Sequence, residues 1–452
     1  MELDPLLTGI IGMGALMLMV FLGVRVYIAA TLVGMVGIVS IIGWDAGTGI
    51  VGTIPHSKAT LYSLSVLPMF ILIGYLAFHA GITTAAFDAA KKWVGWVPGG
   101  LAVATVFAAA GFAAVSGAST ATAAVFSRVA IPEMLKAGYD RRLAAGVVAA
   151  GGTLASLIPP SAILVIYAII VEQSVGALLL AGFIPGVVSA LIYALIIIGR
   201  AGVNPKLGPP VRGYTMTDRI KSLPGTLPIV AVIGIIFSAI YGGWATPTEA
   251  GALGAFVVFI LALMHGMRTK ALKEALFETA KLTVMIFSII WGVLVFVRFL
   301  GFSGLPEAFA EYIVALPYPP ITIIVMILLG YAVLGMFMDA IGMLLLTLPV
   351  VYPAVIALNG GPDVSLADST LGMSGAAAPI WFGIIVVKMC EVCLITPPVG
   401  LNCYVVSAVR PDIPLGDVFR GIFPFFLADA ATIALFIVFP GIITWLPTMM
   451  NS

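Results

Sequence analysis

The 452-residue chain reads as an all-α integral membrane protein made of two related halves. Three observations lead there. Hydrophobic residues make up 62% of the chain and charged residues only 9%, where a soluble domain carries about a quarter charged residues. Apolar runs long enough to cross a bilayer recur along the whole length. Two of those runs are interrupted at their centres by paired prolines, Pro159-Pro160 and Pro397-Pro398. Adjacent prolines remove two backbone donors and clash with the preceding turn, so each helix must break. Hydrocarbon cannot satisfy the freed carbonyls and N–H groups, and a break at such depth must face protein or a watery cavity. A net charge of +1 gives no reason to expect a nucleic-acid partner.

Taken in order, the first half offers spans near 6–22, 26–43, 64–80, 143–171 and 177–199, and the second near 227–243, 249–265, 282–300, 376–408 and 421–446. Met1-Glu2-Leu3-Asp4 lacks a basic leader and no small-residue cleavage site follows, so the first run is expected to be a retained span. The stretches 99–136 and 320–358 are too long for one span and carry small or polar residues at mid-length. They read as re-entrant hairpins. Segments 83–97, with Phe87, Trp93 and Trp96 among charges, and 307–316 read as helices lying along the membrane surface.

The runs, hairpins and breaks of residues 1–225 recur in the same order in residues 226–452, which points to an internal duplication. Each half has five spans, an odd number, so the two repeats are expected to be inverted. With residue 1 outside, all 21 Lys and Arg fall inside except Lys58, Arg298 and Lys388. This positive-inside bias puts the basic loop 201–225 in the cytoplasm and the loop 359–375 outside. The first hairpin then opens to the cytoplasm and the second outwards. Broken helices at matching places of two inverted halves are the sequence pointer to a transporter's binding site.

Several residues are candidates for chemistry. The first hairpin turns at Gly111–Thr122, whose small residues and hydroxyls (Ser116, Ser119) supply hard oxygen ligands beside the break at Thr153–Ser161. The second turns at Gly335-Met336-Phe337-Met338-Asp339, and a mid-membrane carboxylate such as Asp339 is a functional candidate by default. It serves either as an ion ligand or as a helix cap. Lys388 and Glu391, three residues apart, are expected to pair with each other. Arg128 is expected to snorkel towards the cytoplasm. Thr246-Pro247-Thr248-Glu249 has the form of a capping box that starts the next span. Cys390, Cys393 and Cys403 read as small buried hydrophobes, because no ligand set completes them. The absence of a GxxxxGK[ST] loop excludes ATP hydrolysis by that route, and no paired carboxylates suggest an enzyme.

Five motifs in order carry a family resemblance. They are Ser116-Gly117-Ala118-Ser119, Ile158-Pro159-Pro160-Ser161, Thr246-Pro247-Thr248-Glu249-Ala250, Gly335-Met336-Phe337-Met338-Asp339 and Thr396-Pro397-Pro398-Val399-Gly400-Leu401-Asn402. Together they resemble the large membrane subunit of tripartite ATP-independent periplasmic (TRAP) transporters over nearly the full chain. Arg25 departs from the pattern, since the family usually has proline there. The resemblance implies sodium-coupled import of small organic acids by an elevator-type movement, in a bacterial or archaeal inner membrane. It also implies two partners, a small four-helix membrane subunit and a periplasmic binding protein that delivers substrate. Carried over by residue, a first sodium site would use Ser116, Ser119 and backbone around Ser156 and Ile158. A second would use backbone near Gly335 and Asp339 with Thr396 and Asn402. Substrate would lie among Ser116, Pro159, Ser161, Asp339, Pro397 and Gly400. The alternative is a sodium-coupled organic-anion carrier with paired hairpins that needs no binding protein.

Overall fold

The computed structural model describes residues 4–59, 62–117, 119–336, 338 and 340–450, with the backbone alone for 58, 59, 63, 114–116 and 450. Every regular element among the described residues is helical. In chain order they are α1 (Pro5–Phe21), α2 (Val26–Ile42), α3 (Trp44–Ala59), α4 (Val66–His79), α5 (Ile82–Val94), α6 (Gly100–Ser116), α7 (Ser119–Lys136), α8 (Arg141–Thr153), α9 (Ala162–Ile170), α10 (Val175–Val203), α11 (Met216–Ser222), α12 (Leu227–Tyr241), α13 (Pro247–Met264), α14 (Thr269–Ser303), α15 (Leu305–Val314), α16 (Pro320–Gly335), α17 (Ala340–Leu358), α18 (Ala378–Cys393), α19 (Leu401–Val409), α20 (Leu415–Val438) and α21 (Gly441–Met450).

Five of these are both long and apolar enough to cross a bilayer: α10, α13, α14, α17 and α20. Counting two bent pairs as single spans gives up to seven, fewer than the ten runs of the sequence. The difference has a physical cause. Helices α1 and α2 have 17 residues each, short of the ~20 that a straight span needs. Two other runs are broken, as their prolines require: α8 with α9, and α18 with α19. The run 421–446 is likewise split, at Phe439-Pro440 between α20 and α21. Helix α14 starts at Thr269, well before its apolar core, and runs 35 residues. Helix α3 falls between the expected spans 26–43 and 64–80, in a stretch to which the sequence had assigned no element.

Both surface-lying segments form as short helices. Helix α5 leaves α4 at an angle of 69° after Gly81, which sits at φ +75°. It buries Ile82, Thr83, Ala86, Phe87 and Ala89 on one face. Its charged face pairs Lys92 with Asp88 and reaches Glu133 of α7 through Lys91 at 2.6 Å. In the second half α15 follows α14 through Gly304, again left-handed at φ +68°. Both hairpins form too, α6 with α7 and α16 with α17. The capping box is present at α13, where Thr246 and Glu249 cap each other.

The far halves of the broken helices are exchanged between the repeats. Helix α9 packs on α17 and α18, while α19 packs on α7 and α8. Each break therefore lies beside the hairpin of its own half, while the short helix that follows it packs on the other hairpin. Two glycine seams hold the helices around this centre. A Cβ on Gly34 of α2 would lie 2.8 Å from the Phe296 backbone of α14, and one on Gly292 of α14 would lie 2.4 Å from the Tyr27 carbonyl of α2. At the other seam, a Cβ on Gly146 of α8 would lie 2.3 Å from the Gly421 carbonyl of α20. Arg141 and Arg142 at the start of α8 both bind Asp417 at the start of α20, at 2.6 and 3.0 Å.

Candidate functional site

The first break begins where α8 ends. A 3-10 turn at Leu154–Ser156 tightens the chain, and the cis Pro159-Pro160 bond carries it to Ser161. Ser161 caps α9 by accepting from the Leu164 N–H, and its hydroxyl donates to the Ser156 carbonyl. The Ser161 side chain is thus committed within the break. The hairpin tip closes over it: Gly117, at φ +59°, comes so near that a Cβ there would lie 2.9 Å from the Pro160 carbonyl. Pro159, Ile158 and Ser156 are all buried beneath. Glycines of α10 line the other side, Gly182 against the Leu157 carbonyl and Gly186 against Ile158.

The second break, through the cis Pro397-Pro398 bond, is open by contrast, with both prolines exposed. Gly400 sits left-handed at φ +51° against Phe419, and the Thr396 hydroxyl donates back to the Val392 carbonyl. Gly335, at the end of the second hairpin's first arm, presses on Cys393. The Cys393 thiol points at the Tyr331 carbonyl, and all three cysteines are buried thiols outside any disulfide.

Between the two breaks lies a cluster of fully buried charge. Lys388 of α18 does not pair with Glu391. Its ammonium lies 2.6 Å from Oδ1 of Asp429 on α20, both side chains being 0% exposed. One turn along α18, Glu391 points the other way and accepts the Ser119 hydroxyl, 2.9 Å from each of its oxygens. An i,i+3 pair is within reach on a helix, but here the surrounding helices offer each head its own partner, Asp429 of α20 for Lys388 and Ser119 of the first hairpin for Glu391. Tyr193 of α10 donates its hydroxyl to the same Asp429 Oδ1 at 2.6 Å. Thr153, the last residue of α8, stands 3.1 Å from the Tyr193 oxygen and also reaches the Ala150 carbonyl at 2.7 Å. Tyr193 has given its only proton to the carboxylate, so it accepts from Thr153 or leaves that proton to Ala150. Five elements meet here: the tip of the first hairpin, the end of α8, α10, α18 and α20.

Asn402 joins the same region from α19. Its amide nitrogen donates to the Ala149 carbonyl at 3.2 Å, and a Cβ on Gly152 would lie 2.8 Å from the Ser119 carbonyl and 3.0 Å from the Asn402 nitrogen. The packing of α19 on α7 and α8 thus brings the Asn402 side chain beside Ser119, while its backbone N–H donates to the Leu394 carbonyl, next to the Cys393 that Gly335 touches. The Asn402 Oδ1 is buried and has no hydrogen-bond partner among the described residues. The side chain of Ser116 and the whole of Asp339 lie outside the described residues.

Sequence reasoning gave Tyr193 and Asp429 no role because neither lies at a hairpin tip or a double-proline break. One signal was available: Lys388, Glu391 and Asp429 are two acids and one base, so a Lys388–Glu391 pair would have left Asp429 alone in an apolar span.

Comparison with known proteins agrees with this architecture. A solved structure, the YdaH transporter of Alcanivorax borkumensis, shares the fold with a TM-score of 0.56 at 15% identity, over 88% of this chain and 89% of that one. Among curated proteins, the C4-dicarboxylate TRAP transporter large permease protein DctM of Pseudomonas aeruginosa is 35% identical, over 86% of this chain and 85% of its own length. The sialic acid TRAP transporter large permease protein SiaM of Vibrio cholerae is 30% identical over 86% and 87%. The family model described as "Tripartite ATP-independent periplasmic transporter, DctM component" matches residues 13–442, which takes in both hairpins, both breaks and the buried charges. This multi-pass membrane protein is therefore no enzyme but a member of the DctM, or large-permease, family of TRAP transporters.

Proposed function

We propose that the chain is the transporting subunit of a sodium-coupled importer of small organic acids in a bacterial or archaeal inner membrane. It works with a small four-helix membrane subunit and takes substrate from a periplasmic binding protein. The observation that carries this reading is the meeting of the first hairpin tip with both broken helices, around buried oxygens. Sodium needs several hard oxygen ligands in a space closed to bulk water. The Ser119 hydroxyl and carbonyl, the turn at Ser156–Ile158 and the unpartnered Asn402 Oδ1 supply that chemistry. We place Asn402 with this first site for that reason. A second sodium lies near Gly335, Thr396 and Asp339. Substrate sits between the hairpin tips and the breaks, next to the exposed Pro397 and the buried Gly400. That relatives are named for C4-dicarboxylates and for sialic acid supports an organic acid as cargo. The two repeats lie inverted, with residue 1 outside, and the hairpin-bearing part moves as an elevator against the rest.

Uptake into proteoliposomes tests this. Radiolabelled organic acid should enter only with an inward sodium gradient, the small subunit and substrate-loaded binding protein, and without ATP. Uptake that ignores sodium would end the coupling assignment. Full uptake by this chain alone would favour a carrier independent of binding protein.

A further inference from the structure

Away from the hairpin tip, a cavity of about 260 Å³ opens between α4, α14 and the arms of the first hairpin. Its walls are mainly apolar and aromatic, with Phe78, Phe112 and Val125 prominent among them, and Tyr75 adds a hydroxyl. Two charged groups face it, Arg128 of α7 and Glu278 of α14. Glu278 is already engaged, its carboxylate 3.0 Å from Nε2 of His79. The Arg128 guanidinium makes no ion pair or hydrogen bond with the described residues. It stands nine residues along α7 from Ser119, about 13 Å at the helical rise of ~1.5 Å per residue. Arg128 thus stands apart from the buried charge cluster, although Phe112 and Ala121 carry the cavity wall towards the tip.

We propose that Arg128 and this cavity form a second anion station, binding the carboxylate of a small organic acid on its way between the hairpin tip and the membrane surface. The inference rests on the organic-acid reading above. A guanidinium presents two parallel N–H donors that match a carboxylate, and apolar walls suit a short carbon skeleton while strengthening the charge contact. Arg128 is exposed as well as lining the cavity, so an anion can reach it from outside the protein. A second, separate cavity lies nearby at the end of α4 and the start of α14, lined by His79, His265, Arg268, Lys270 and Glu274. A basic rim of that kind draws anions towards Arg128.

The test needs no knowledge of the cargo. In the full chain with Cys390, Cys393 and Cys403 replaced, Ala124→Cys on the cavity wall is labelled by an anionic and by a cationic methanethiosulfonate of similar size, in membranes open on both sides. The anionic reagent should react faster by about tenfold, the lower end of electrostatic rate enhancement in a charged cleft. Arg128→Gln should abolish that preference and Arg128→Lys keep most of it. Equal rates for the two reagents, or a preference that survives Arg128→Gln, overturns the proposal. Should Arg128→Gln not fold, the same ratio measured at Ser365→Cys in the otherwise unchanged chain decides: a preference no larger at Ala124→Cys than there also overturns it. Failure of sodium-driven uptake would instead remove the organic-acid reading, whichever way the labelling falls.

Discussion

Breaking the Lys388–Asp429 pair is the sharpest test of how the core is held. At 2.6 Å, with an effective dielectric near 20, the attraction of two unit charges is about 6 kcal/mol. Removing each ion from water costs several kcal/mol, so the intact pair contributes little net stability. Removing one partner is a different matter. Asp429→Asn leaves the Lys388 ammonium at 0% exposure without its ion-pair partner, with the Tyr193 ring centroid 5.4 Å away and the Glu391 carboxylate one turn along, already bound to Ser119. The expected loss is about 3–5 kcal/mol, and Lys388→Met should lose a similar amount by stranding the carboxylate. The double variant Lys388→Met with Asp429→Leu should recover most of it, because neither charge then remains to be buried. Reversible unfolding of the purified protein in mixed detergent, followed by tryptophan fluorescence, gives the four stabilities of a double-mutant cycle. Single losses below ~1 kcal/mol that simply add in the double variant would refute the reasoning and show that the pair is solvated or mobile.

Three further outcomes are expected. Gly117→Ala should destabilise the first hairpin tip, since its Cβ would sit 2.9 Å from the Pro160 carbonyl at a backbone angle that side chains avoid; faster proteolysis or labelling near the tip reads this. Impermeant thiol reagents applied from outside should reach Ser365→Cys and miss Thr215→Cys, and the reverse pattern would undo the assigned topology. Arg410 grips Asp412 through two contacts of 2.8 and 2.7 Å, and that hydrogen bonding holds the carboxyl below its usual value of 3.8. The pair's small contribution is then fully present above pH 3.8 and lost as pH falls through the lowered value, so Asp412→Asn should lower the melting temperature slightly at pH 7 and by progressively less as the pH is taken below 3.8.

The broken helices were legible because a proline pair has one local consequence, whatever surrounds it. The hairpins followed from length, and α5 from its aromatic and charged residues set beside an apolar face. Arg128 also belongs to this local class, being long and charged near a helix end, yet the cavity at its head depends on α4 and α14 and left no trace in α7. The buried cluster was hidden for a related reason. Spacing along α18 suggested Lys388 with Glu391, but which of two neighbours on a helix meets which partner is decided by the helices packed around it. Tyr193 and Asp429 stand 236 residues apart, and only the packing of α10 against α20 joins them. The span count was overestimated because hydropathy measures composition, whereas crossing a bilayer demands an unbroken length.

The glycine seams have a mechanical corollary. Where backbone touches backbone, as Gly146 does at Gly421 and Gly34 does at Phe296, no side chain is left to change rotamer and absorb a displacement. Helices α8 and α20 must then travel together, and α2 and α14 must stay in step. Slack remains where α4 and α14 face the hairpin arms across an open cavity lined by flexible side chains. A short cross-link across either seam should leave the working cycle untouched, while one bridging the cavity should stall it, as a bolt through a door stalls the door and a bolt through its panel does not.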